Sequence, residues 1–219
     1  MRTAGVRRAR DADGKAARRE VILRAAEQAF AKTGDALPTV AEVAAGAGLA
    51  KGTVYLYFAS QAEIYLALLL EGWSAVLARV AAAAGASPTD AGRIVTALAA
   101  ALGERPDLLR LDSFGAVLEK QADPDALRVF KTALTARIAE AAQSIEQALD
   151  LPATGAERLL MNSYAFARGL WQAFGGADPS LLIDGQTRAR MHPPFMPELK
   201  RALLAYWRGE ANTDQRSES

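Results

Sequence analysis

The amino-acid sequence predicts an all-α protein, and three observations carry that expectation. Hydroxyl and carboxylate residues stand three apart at the head of apolar runs: Thr39 with Glu42, Ser60 with Glu63, and Thr154 with Glu157. In such capping boxes the two side chains satisfy amide donors that a helix start leaves unpaired. Apolar residues return at helical spacing, most legibly at Leu127, Phe130, Leu134, Ile138, Ile145 and Leu149, whereas alternating β-branched patterns are absent. Glycines punctuate the runs at Gly34, Gly48, Gly103, Gly175-Gly176 and Gly209.

Nine helices follow in order. A span over about 15–33 ends at Gly34, and one over 40–46 opens on Thr39 and closes before Gly48. A short helix over about 50–57 comes next. The long span 61–84 opens on the Ser60/Glu63 pair. Ser87-Pro88 and Asp123-Pro124 put a cap residue before a proline, which suits a first helical turn and starts helices at about 88–102 and 124–149. Between them lies 106–121, with Asp107 and Asp112 assigned to its positive, N-terminal side. Thr154 and Glu157 start 155–174, and 195–208 closes at Gly209. Residues 1–14 and 210–219 read as tails, and 175–194, with His192-Pro193-Pro194, as a long connection.

Composition excludes much chemistry. In 219 residues, 51% are apolar, enough for a sizeable core, and none is cysteine. There is no thiolate metal site, and the single histidine, His192, cannot build a histidine-clustered one. No metal or cofactor is expected. The most apolar run, Ile64–Leu70, meets Glu71, so no uncharged stretch approaches the roughly 18–20 residues of a membrane span. The basic N-terminus leads into Asp11, Asp13 and Lys15 rather than an apolar signal segment, which predicts a soluble cytoplasmic protein. Net charge is +1, but residues 1–20 hold 7 Lys/Arg against 3 Asp/Glu. A basic end on a near-neutral body suits a polyanion met at one end only.

The window Val40–Phe58 carries the functional reading. Ala44 supplies a small residue where two helices cross, and Gly48 a turn position tolerant of positive φ. Val43, Leu49 and Val54 flank the turn as core positions. The short second helix opens with Lys51, Gly52 and Thr53, which meet base edges without bulk, and continues with Tyr55 and Tyr57, whose hydroxyls suit phosphates. This is a helix-turn-helix pattern; the alternative is an ordinary helical hairpin.

The stretch TVAEVAAGAGLAKGTVYLYFASQAEIYLALL, following helix 15–33, resembles the DNA-binding domain of TetR-family transcriptional regulators over roughly residues 15–70. The resemblance implies a three-helix head at about 1–60, an effector-binding and dimerisation bundle at 61–209, and a tail at 210–219. It implies that Thr39, Tyr55 and Tyr57 touch phosphates while Lys51, Gly52 and Thr53 enter the major groove. Two positions depart from the family: Ala50 replaces a polar cap residue, and Gln61 replaces a lysine. The implied partners are double-stranded operator DNA, a small-molecule effector and a second copy of the chain.

Beyond residue 71 nothing resembles catalytic machinery, so no enzyme is expected. Aromatic residues scattered over several helices suggest an apolar pocket with polar anchors, for which Phe114, Leu118, Tyr164, Arg168 and Trp171 are the candidates. Tyr164, Arg168 and Trp171 recur at i, i+4 and i+7 and share a helix face. Leu160, Tyr164, Ala167 and Trp171, with Leu199, Leu203, Tyr206 and Trp207, are expected to build a four-helix dimer interface; otherwise they close the core of one chain. The expected function is a ligand-released repressor binding a palindromic operator as a homodimer. The alternative is a helical small-molecule-binding or interaction protein without operator recognition.

Overall fold

The computed structural model describes the backbone of residues 3–34, 36–175 and 184–217, and side chains over 14–34, 36–175 and 184–210. Among the described residues there are eleven α-helices and no strand. They are α1 (Thr3–Lys32), α2 (Val40–Gly46), α3 (Lys51–Tyr55), α4 (Gln61–Ala84), α5 (Ala91–Gly103), α6 (Pro106–Asp112), α7 (Gly115–Gln121), α8 (Pro124–Leu149), α9 (Gly155–Leu170), α10 (Gly185–Met191) and α11 (Phe195–Ser217). A π-helical turn, Trp171–Gly175, follows α9.

The chain divides into two compact units, Met1–Leu69 with Gly115–Phe130, and Leu70–Phe114 with Lys131–Ser219. In the first, α1 buries Ile22, Leu23, Ala25, Ala26 and Phe30, and α2 buries Val40, Val43 and Ala44. Val54 and Phe58 complete that core with Ile64, Tyr65 and Leu66 at the start of α4. Tyr65 donates its hydroxyl to the Pro38 carbonyl at 2.9 Å and packs against Phe30 with ring centroids 6.2 Å apart.

In the second unit α11 lies against α5 and α9, and α6 against α5 and α9. Gly72 lets α4 approach α6: a Cβ there would come within 2.5 Å of Leu108 Cδ1. Leu199, Leu203 and Trp207 of α11, with Leu160 and Ala167 of α9, are buried within the chain. These stripe residues therefore close their own core, and the expectation that they form a dimer surface is corrected. Trp207 donates from Nε1 to Ser163 Oγ at 2.8 Å, and Ser163 passes its own proton to the Leu159 carbonyl at 2.7 Å. That chain seats an indole in the core without an orphaned donor.

Several expected boundaries move. The helical backbone of α1 begins at Thr3 and that of α11 runs to Ser217, where tails were expected. The N-terminal end is rich in Ala and Arg and the C-terminal end carries Glu, Ala, Gln and Arg, all strong helix formers, and Gly209 does not stop α11. The span 106–121 breaks at 113–114, where Ser113 Oγ donates to the Leu109 carbonyl at 3.0 Å and competes with the helical ladder. The expected connection 175–194 contains α10, capped by Asp184, whose carboxylate accepts from the amides of Gln186 and Thr187 at 2.9 Å each. The Thr187 hydroxyl first, and then those two amide hydrogen bonds, hold the Asp184 carboxyl below the usual range. Gly176 lies outside the described residues.

The caps are mixed. Asp123 caps α8 by accepting from the amides of Asp125 and Ala126. Helix α5 starts at Ala91 on Asp90 rather than at Pro88. Thr154 makes no cap: it sits at φ 67°, just before a Gly155 amide that turns back to the Pro152 carbonyl. Helix α4 is long and apolar enough, by length and composition alone, to cross a membrane. Its Ile64, Leu69, Val76 and Val80 are buried as protein core, and Arg79 pairs with Glu104.

Candidate nucleic-acid interface

The hairpin α2–α3 is built by local chemistry at each end. Thr39 holds extended backbone and its Oγ1 accepts from the Glu42 amide at 3.3 Å. The Glu42 carboxylate returns the contact, accepting from the Thr39 amide and hydroxyl at 2.7 Å each. Both bonds stabilise the ionised carboxylate and lower its pKa below the ordinary glutamate value. At the other end Gly48 adopts φ 65°, and Leu49 donates to the Ala44 carbonyl at 2.9 Å, reversing the chain into α3.

Helix α3 turns Val54 fully inward, and Phe58 follows it into the core. The Arg19 guanidinium lies 4.5 Å from the Phe58 ring centroid, so a cation of α1 is fastened to the hairpin's base. Lys51 and Gly52 are exposed and Thr53 half-buried. Tyr55 is 45% exposed, and Lys51 Nζ stands 5.9 Å over its ring. Tyr57 is half-buried, and Thr39 is exposed at the head of α2. The six residues expected to meet DNA thus all lie within one capped hairpin, and four of them are exposed.

The two departures acquire structural meaning. Ala50 serves as the cap of α3 with no side-chain hydrogen bond, as its methyl requires. Gln61 Nε2 donates to the Pro38 carbonyl at 2.8 Å and to the Leu37 carbonyl at 3.3 Å. It ties α4 to the loop that leads into Thr39, a neutral structural role in place of a cation.

The candidate effector residues scatter. Tyr164 and Arg168 come together: Arg168 Nη1 donates to the Tyr164 hydroxyl at 3.0 Å, and that hydroxyl donates to Asp112 Oδ2 at 3.0 Å. Asp112 also accepts from Trp73 Nε1 at 3.1 Å and faces Arg168 Nε at 3.6 Å. Burial first, then the Asp112 charge, raises the Tyr164 phenol above its usual value. Trp171 packs edge-on against Phe195 in the π turn, with centroids 5.3 Å apart. Phe114 is half-buried, and Leu118 is fully buried in α7 of the first unit.

Asp112 is the residue that sequence reasoning misplaced. It is the last residue of α6, not a helix-start acid, and it is 6% exposed. Asp107 does sit in the first turn of α6, paired with Arg110 at 3.0 Å. Elsewhere in the second unit, a groove of about 320 Å³ runs between α4 and α8, walled by Leu77, Ala78, Ala81 and Ala141 with Arg137 and Glu140 on α8.

A capped helix, a left-handed glycine turn and a short exposed second helix on a three-helix core define the helix-turn-helix class of DNA-binding domain. Residues 22–68 match the family described as bacterial regulatory proteins, tetR family, and residues 67–213 match the tetracyclin repressor-like C-terminal domain. The chain belongs to the TetR family and is a DNA-binding transcription regulator. The fold is shared with a protein of Mesorhizobium loti MAFF303099 assigned to the TetR-family transcriptional regulators, at TM-score 0.56 and 17% identity, covering 91% of this chain and 97% of that one. It is shared also with one from Shewanella sp. PV-4 assigned to the same family, at TM-score 0.51 and 17% identity, covering 87% and 95%. No curated protein sequence matches the chain.

Proposed function

We propose that this regulator is a cytoplasmic repressor that binds a palindromic operator as a homodimer and is released by a small, largely apolar effector. The observation that carries the reading is the α2–α3 hairpin, which presents Lys51, Gly52 and Tyr55 to solvent on a base anchored by Val54 and Phe58. Lys51, Gly52 and Thr53 meet base edges, and Thr39, Tyr55 and Tyr57 meet phosphates. Residues 1–60 form the head and 61–209 the effector and dimer domain.

The dimer surface lies on the faces of α9 and α11 that the chain leaves uncovered. Met161 is 48% and Phe166 41% exposed there, and Phe166 packs on Tyr206 with centroids 5.5 Å apart. Tyr206 accepts from Asn162 Nδ2 at 2.6 Å, so the patch is pre-ordered in the single chain. The effector enters the second unit, where Tyr164 and Arg168 supply polar anchors and Phe114 and Trp171 apolar surface.

A mobility shift on the DNA upstream of the protein's own gene tests the reading. Specific binding should persist against competitor DNA and weaken as salt rises. Tyr55→Phe and Lys51→Ala should both weaken it with unchanged helicity. Unaltered affinity in both variants refutes the role of α3, and absence of specific binding favours the alternative of a small-molecule-binding protein without an operator. Sedimentation at micromolar concentration tests the dimer: a clean monomer removes it, and Phe166→Glu should dissociate it.

A further inference from the structure

Leu56 is the most exposed of the large apolar side chains among the described residues, at 75%. A single exposed leucine on an ordinary surface asks for no explanation. Leu56 is placed otherwise. It caps α3 with helical backbone, φ −73° and ψ −15°, so it stands one turn beyond Gly52 on the same face. A Cβ added at Gly52 would meet nothing within 4 Å, so the helix is open to solvent at that position. Gly52 lets the backbone come close to whatever the face meets, and Leu56 then projects an isobutyl group toward it.

We infer that Leu56 is a specificity-determining residue that reads a thymine methyl in the major groove. The assignment rests on α3 being the recognition helix, as proposed above. Base edges in the major groove offer hydrogen-bond donors and acceptors, and the one apolar group among them is the C5 methyl of thymine. Lys51 and Thr53 find partners at any base pair or phosphate; Leu56 has a favourable partner only at A·T. Against guanine or cytosine edges the side chain strips water from polar atoms and returns no hydrogen bond. The operator therefore carries a thymine in each half-site opposite Leu56.

The test uses the full-length protein. Duplexes are enriched from a random pool, the minimal bound sequence is mapped, and each thymine in it is replaced singly by deoxyuridine. That exchange deletes the methyl and keeps the pairing edge and the O4 acceptor. At one position per half-site, affinity should fall about fourfold, the effect of one buried methyl. Leu56→Ala should lose a comparable factor on the thymine duplex and show no further loss on the deoxyuridine duplex, while Leu56→Met keeps the discrimination. Thermal unfolding of Leu56→Ala should match the parent, because the side chain packs against little. Deoxyuridine tolerated within twofold at every position overturns the assignment, as does a deoxyuridine penalty that survives in Leu56→Ala. A pool that yields no enriched duplex overturns the DNA-binding reading of α3 and this assignment with it.

Discussion

Asp112→Ala should be the most destabilising single polar substitution in the second unit. Three donors lose their acceptor. Trp73 Nε1, on an indole only 8% exposed, is stranded without water, at about 1–3 kcal/mol. The Tyr164 hydroxyl keeps Arg168 as a donor but loses its own acceptor, roughly 0.5–1 kcal/mol given its partial exposure. The Arg168 side chain is 31% exposed and stands 3.6 Å from the carboxylate, so solvent replaces most of that attraction; its loss adds less than about 1 kcal/mol. The sum is about 1.5–5 kcal/mol. Asp112→Asn keeps an acceptor for Trp73 and should lose only about 1–2 kcal/mol. Urea unfolding at fixed protein concentration, followed by the fluorescence of Trp73, Trp171 and Trp207, measures both. An Ala variant within about 0.5 kcal/mol of the parent refutes the argument, as does an Asn variant at least as unstable as Ala.

Gly48→Ala should destabilise by about 1–2 kcal/mol through backbone strain alone, because φ is 65° and a Cβ would meet nothing within 4 Å; Gly48→Asn should lose less, and melting curves compare them. Stability should fall as the pH rises above about 10, because the Tyr65 and Tyr164 phenols have raised values in the folded chain and the unfolded chain ionises first. Tyr65→Phe should flatten that alkaline limb and weaken the neutral protein by about 1 kcal/mol for the lost bond to Pro38, as unfolding free energy against pH would show. On the acid side, Glu42 has a lowered pKa, so its contribution is present above about pH 4.3 and lost as pH falls below it; Glu42→Gln should shallow the acid limb in the same experiment.

What the sequence determined by itself is chemistry that acts within four residues. The Thr39–Glu42 box, the left-handed Gly48, the Asp123 cap and the all-helical architecture each depend on a side chain reaching its own turn of backbone. Such contacts are encoded by spacing alone, which is why α2, α4 and α8 have the expected bounds. The same local rule failed at Thr154, which sits at φ 67° beside the turn that Gly155 closes onto the Pro152 carbonyl and whose side chain makes no cap hydrogen bond. Tertiary structure decided the rest. Asp112 is buried because donors 39 and 52 residues away converge on it, and no local pattern encodes that convergence. Leu199, Leu203 and Trp207 form an apolar stripe that suits an interface and a core equally. Only the packing of α11 on α5 and α9 sent them inward, leaving Met161 and Phe166 outside. Leu56 shares the composition of any core leucine, and its exposure follows from Val54 and Phe58 having already filled the interior side of α3. Hydrogen bonds to neighbouring backbone are written in residue order, whereas burial depends on which distant surfaces meet.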